Sequence, residues 1–119
     1  MMEKASFMTN EDGTDLIVSF AIPAGEEGDV KSLILLRAPQ YEFALEETER
    51  GVMVSHDDFP DEGDALLEEI KITGEVATIV TGSRTYTVGI GGINKKEIEK
   101  AKKILKKMNF DERFTLTID

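Results

Sequence analysis

Ile70-Lys71-Ile72-Thr73-Gly74-Glu75-Val76-Ala77-Thr78-Ile79-Val80-Thr81-Gly82-Ser83-Arg84-Thr85-Tyr86-Thr87-Val88-Gly89-Ile90 decides the fold. Its period is two, which on extended backbone sends neighbouring side chains to opposite faces. Ile70 and Ile72 lead into Gly74-Glu75, a two-residue hairpin turn. Val76 to Thr81 is a β-branched run. Gly82-Ser83 then reads as a second hairpin turn, with glycine where positive φ is wanted. Thr85 to Ile90 follows, with Tyr86, Val88 and Ile90 on one face. Three short strands joined by two tight turns predict an antiparallel meander.

Upstream the same period recurs. Leu16, Val18, Phe20 and Ile22 alternate with Ile17, Ser19 and Ala21, and the segment from Pro23 to Asp29 breaks the pattern with turn formers and charge. Leu33-Ile34-Leu35-Leu36 is apolar on both faces and predicts an interior strand. Past Pro39, Tyr41, Phe43 and Leu45 alternate with Glu42, Ala44 and Glu46, which predicts a half-exposed strand with an acidic outer face. Val52 to Ser55 predicts a short strand after the turn at Glu49-Arg50-Gly51. His56 to Asp64 reads as a loop, and Ala65 to Glu69 fits either a helical turn or the start of the next strand.

Downstream the period changes to that of a helix. Ile98, Ala101, Ile104, Leu105 and Met108 form one apolar stripe. Asn94 is the N-cap, and Glu97 three residues later completes a capping-box pattern, with Ile93 and Ile98 placed as a hydrophobic staple. Lys102, Lys103, Lys106 and Lys107 load the end where the helix dipole favours cations, and Asn109 suits a left-handed stop. Arg113 to Ile118 predicts a final strand. Residues 1–119 thus read as one α+β domain: a mostly antiparallel sheet with one amphipathic helix near the C-terminus and a strand after it. One stripe covers only part of one sheet face, so the sheet is expected to curl over on itself or to hide apolar surface in a homodimer.

Composition narrows the function. With 40% hydrophobic and 32% charged residues the chain is globular. It has no cysteine, which removes disulfides, thiolate metal sites and cysteine nucleophiles. Met1-Met2-Glu3-Lys4 carries no secretory h-region, and no apolar run approaches the ~20 residues of a membrane helix, so a cytoplasmic location away from membranes is expected. The stretch 42–75 holds twelve acids and two bases and so carries the whole net charge of −10. Such a field repels nucleic acid, excludes it as a partner, and attracts basic proteins.

The candidate sites follow from that charge. Glu42 and Glu46 on the outer strand face, with Asp57, Asp58, Asp61, Glu62 and Asp64 on the loop, form an expected docking surface for a basic partner. A calcium reading of the loop fails. With Gly63 at the sixth position, Pro60 occupies the third, which should offer a side-chain oxygen, and the preceding flank is strand rather than helix. No metal or cofactor is expected. Ser55-His56-Asp57 places adjacent side chains on opposite sides of extended chain, so it is no triad, and His56 is expected at the surface. No catalytic constellation is visible and the chain is not expected to be an enzyme. The alternative is a small-molecule or anion site at the glycine-rich turn before the helix, with Gly91, Gly92, Lys95 and Lys96 around free backbone amides. A third is an oligomeric structural domain.

Leu33 to Arg37, Val52 to Asp58 with its Asp57-Asp58 pair, and the alternating strands from Ile70 onward resemble the small acidic immunity proteins of bacterial polymorphic toxin systems. Phe59-Pro60 departs from that pattern, where a polar residue would follow the acidic pair. The resemblance implies a single cytoplasmic α+β domain that binds and blocks a cognate toxin, with no catalytic residues.

Overall fold

The computed structural model describes residues 3–24, 28–62 and 65–118. Nine strands and one helix run in the order β1 (Glu3–Lys4), β2 (Phe7–Asp12), β3 (Leu16–Pro23), β4 (Val30–Arg37), β5 (Met53–His56), β6 (Ala65–Thr73), β7 (Val76–Thr81), β8 (Thr85–Gly89), α1 (Lys95–Met108) and β9 (Thr115–Ile118). They form one mixed, mostly antiparallel sheet, ordered β1-β8-β7-β6-β5-β4-β3-β2, with β9 added beside β6. Among the described residues only β1 on β8 and β9 on β6 pair in parallel. The sheet is not closed, yet its two terminal strands are consecutive in the chain. Ala5 N–H donates to Gly89 of the β8 end (2.9 Å), and Ser6 N–H donates to Ala21 of β3 (2.8 Å). Two residues bridge the two ends, so the sheet has to bend round on itself.

The β6–β7–β8 meander is as the periodicity predicts. Its first turn holds Gly74 at φ 59, where glycine pays no Cβ penalty. The second turn works differently. Gly82 has no positive φ; instead the Thr81 hydroxyl accepts from Ser83 N–H (3.2 Å) and Arg84 N–H (3.1 Å). Ala65 to Glu69 belongs to β6, which settles the helix-or-strand alternative.

Helix α1 lies against β2, β3 and β9 and buries Ala101, Ile104, Leu105 and Met108, as its stripe requires. Asn94 caps it through Lys96 N–H (2.8 Å). The capping box is not made: the Glu97 carboxylate accepts from Asn10 Nδ2 on β2 instead (3.0 Å), a tertiary contact replacing a local one. Asn109 is not left-handed (φ −97). Its side chain accepts from Phe114 N–H (3.2 Å), and the positive φ falls on Glu112 (54°). Strand β2, in a stretch with no clear alternation, supplies Met8 and Asn10 to the covered side.

The largest departure concerns Tyr41 to Glu46. No strand forms there. Pro39–Ala44 is a 3-10 helix with Pro39 in its first turn, where a missing N–H costs nothing. The expected burial is not found either: Glu42 is the one buried residue of this helix, while Tyr41, Phe43, Ala44, Leu45 and Glu46 are exposed.

Candidate functional site

Arg37, the last residue of β4, explains why Glu42 turns inward. Its guanidinium is completely buried, and a buried charge is tolerated only when paired and fully hydrogen-bonded. All five of its N–H donors are used. Nε and Nη2 form a two-pronged pair with Glu42 (2.9 Å each), Nη1 and Nη2 reach Asp111 (2.7 and 2.9 Å), and Nη1 also donates to the Met108 carbonyl (2.7 Å). The Met108 bond satisfies a carbonyl at the open end of α1. The Phe110 ring lies over the guanidinium at 4.3 Å. Burial works against the charge, but the hydrogen bonds that Arg37 donates to Asp111 and then to Glu42 outweigh it and hold the Arg37 pKa above its ordinary value. The same Arg37 hydrogen bonds, helped by Arg113, hold the Asp111 carboxyl well below the usual carboxylate range.

This network ties β4, the 3-10 helix and the end of α1 together. Because Glu42 must reach inward to Arg37, its neighbours Tyr41 and Phe43 must turn outward. Phe43 is 81% exposed and Tyr41 62%. Between the two segments lies a pocket of about 230 Å³ walled by Leu36, Ala38, Tyr41, Leu45 and Met53, with Glu49 at its rim. Met53 and Leu45 are themselves exposed. Glu46, Glu47 and Glu49 continue the segment as a second short 3-10 helix and are also exposed, with Glu46 N–H donating to the Glu49 carboxylate (3.2 Å).

The expected docking residues therefore separate. Glu42 is corrected from an outward carboxylate to a buried ion-pair partner. Glu46 is outward. On the loop after β5, Asp57 accepts from Ser32 N–H (2.9 Å) and Asp58 pairs with Lys31 (2.8 Å), so both are tied back to β4. The Lys31 hydrogen bond lowers the Asp58 pKa, and the same bond raises that of Lys31. Asp61 is exposed on a 3-10 turn, Pro60–Glu62. Asp64 and the side chain of Glu62 lie outside the described residues. Tyr41, Phe43, Leu45 and Met53 were not among the expected site residues. The signal for them was present: aromatics alternating with acids directly after a proline.

His56 is corrected too. It is 2% exposed, parallel to Tyr86 with ring centroids 5.4 Å apart, and close to Phe59. Asp58 N–H donates to its Nδ1 (3.0 Å), which assigns the ring proton of the neutral imidazole to Nε2, 3.0 Å from Glu3. Glu3, His56 and Asp58 bring potential ligand atoms within 4.8 Å of one another. A metal at Nε2 would require the proton to move to Nδ1, where it would face the Asp58 N–H, and Asp58 is already held by Lys31. The cluster is a latch of the N-terminal strand, built from both ring nitrogens.

At the glycine-rich turn, Lys95 and Lys96 are exposed and Gly91 and Gly92 lie at the surface. The Glu75 carboxylate packs over Gly91, where a Cβ would come within 2.8 Å of it. Asn94 and Glu75 thus set an oxygen acceptor and a negative charge where an anion would sit.

No family model matches the chain, and neither a curated protein nor a solved structure matches it.

Proposed function

We propose that the chain is a protein-binding module that docks a basic partner on the platform formed by residues 39–53. The observation that carries this is a preformed pocket walled by the exposed Tyr41, Leu45 and Met53 with Glu49 at its rim, on a segment that also exposes Phe43, Glu46 and Glu47. Exposed aromatics beside a pocket are unusual on a soluble surface and are the residue types that anchor interfaces. Their setting is rigid, because the segment is anchored by the Arg37 network, so little ordering cost remains at binding. The carboxylates select the partner's charge: the occupant is a cationic segment with at least one apolar side chain for the pocket. Blocking a basic toxin, as the resemblance to immunity proteins implies, is one use of such a face.

The test is selection from a random displayed-peptide library against the purified protein. Enriched peptides should carry net positive charge and an apolar residue, and bind less tightly as salt rises. Phe43→Ser combined with Tyr41→Ser should weaken them by roughly thirtyfold, as loss of an anchor does. Enrichment of neutral or acidic peptides, or equal binding to the double variant, would sink the proposal.

A further inference from the structure

Strand β6 changes partner along one edge. Leu66 is paired with Met53 of β5, and Leu67 N–H donates to the Val52 carbonyl (2.8 Å). From Glu69 onward the same edge is taken by β9. The fork falls at an irregularity in the register with β7, between Leu67 and Glu69. Neither β5 nor β9 fills the fork, which opens as a cavity of about 480 Å³, roughly twice the platform pocket of 230 Å³.

Its polar groups are unevenly committed. Arg113 is spoken for: Nε donates to Asp111 (2.5 Å) and Nη1 to the Glu47 carbonyl (2.8 Å). Arg50 is not. Its Nε is fixed by the Leu45 carbonyl (3.3 Å), while its terminal nitrogens have no protein acceptor among the described residues. The exposed Thr48 and Ser83 hydroxyls at the cavity also have no side-chain hydrogen-bond partner among the described residues. Ala65 and Leu66 supply an apolar wall. Glu68, further along the same strand, reaches over Gly82, where a Cβ would be 3.1 Å from its carboxylate.

We propose that this fork binds an amphiphilic monocarboxylate, with the carboxylate on Arg50 and the hydroxyls and the apolar body on Ala65 and Leu66. A guanidinium held by one nitrogen presents its outer edge in the fork geometry that carboxylates match. Glu68 and the net charge of −10 select against a dianion such as phosphate. The carboxylate has two sources, a free organic acid or a peptide chain end, and both share the chemistry. The cavity shares only Gly51 with the platform pocket, although Thr48, Arg50 and Gly51 belong to the platform segment.

The experiment is an amide NMR titration of the whole chain with hexanoate, N-acetyl-leucine and inorganic phosphate. Hexanoate or N-acetyl-leucine should shift Arg50, Leu66 and Ser83, with a dissociation constant on the order of 1 mM for so few atoms. A response to N-acetyl-leucine alone identifies a chain end, and a response to hexanoate alone identifies a free acid. Arg50→Gln should weaken binding about tenfold, and Ser83→Ala should weaken it measurably even if the arginine variant disturbs the fold. No shift with either carboxylate, phosphate binding as tightly, shifts confined to Tyr41 and Phe43, or affinity unchanged in both variants would overturn the proposal.

Discussion

Two acidic stretches flank β5 and look alike in sequence, yet they are built differently. In residues 39–49 one carboxylate, Glu42, goes inside to a fully buried arginine and forces aromatics out. In residues 57–61 two carboxylates, Asp57 and Asp58, stay at the surface and fasten the chain to β4. The first stretch is held by charge taken out of water, the second by charge left in it. Acid content says nothing about this; what decides is whether a base waits behind the segment or beside it.

The strongest way to break the comparison is at Arg37. Arg37→Met should destabilise the fold by about 3–5 kcal/mol in denaturant unfolding, because the buried Glu42 is left charged without a partner and Asp111 keeps only Arg113. Replacing Arg37, Glu42 and Asp111 together by apolar residues should recover much of the loss, since then no charge is stranded. Asp111→Asn should cost less, about 1–2 kcal/mol, and it carries a pH signature. The Asp111 pKa is depressed in the fold, so the unfolded chain takes up the proton first. Its contribution is present above the ordinary carboxylate value of about 4 and is lost as pH falls toward the folded value. Stability measured from pH 5 downward should therefore decline less steeply in Asp111→Asn than in the parent; an equal decline would show that Asp111 is not depressed.

Smaller effects sharpen the other side. Phe43→Ala should leave stability within about 0.5 kcal/mol, because that ring rests on solvent rather than on the core. A large loss would mean that it packs, and would remove it as a docking anchor. Asp58→Asn should produce no resolvable change in the denaturation midpoint, because its bond to Lys31 is solvent-screened.

The meander and the helix were legible because their signals are local. Gly74 permits its turn by its own backbone freedom, and the Ala101–Met108 stripe needs only helical spacing to be recognised. The site was legible only in part. The alternation from Tyr41 to Glu46 was visible, but the burial of Glu42 depends on Arg37, five residues before it, and on Asp111, far along the chain. Glu97 shows the same limit: its capping partner is adjacent in sequence, yet Asn10 of β2 takes the carboxylate. His56, expected at the surface as a strand end, is 2% exposed, with Tyr86 and Phe59 against its ring and Glu3 of β1 at its Nε2.

The sequence by itself determined which segments are strand or helix from Ile70 onward, where the charge lies, and that apolar and acidic residues alternate after Pro39. Only the tertiary structure decided that this segment is a 3-10 helix rather than a strand and that Glu42 is its buried residue. A period of two separates two faces only on extended backbone. Orientation here comes from a guanidinium that cannot stay buried unless Glu42 turns in to meet it.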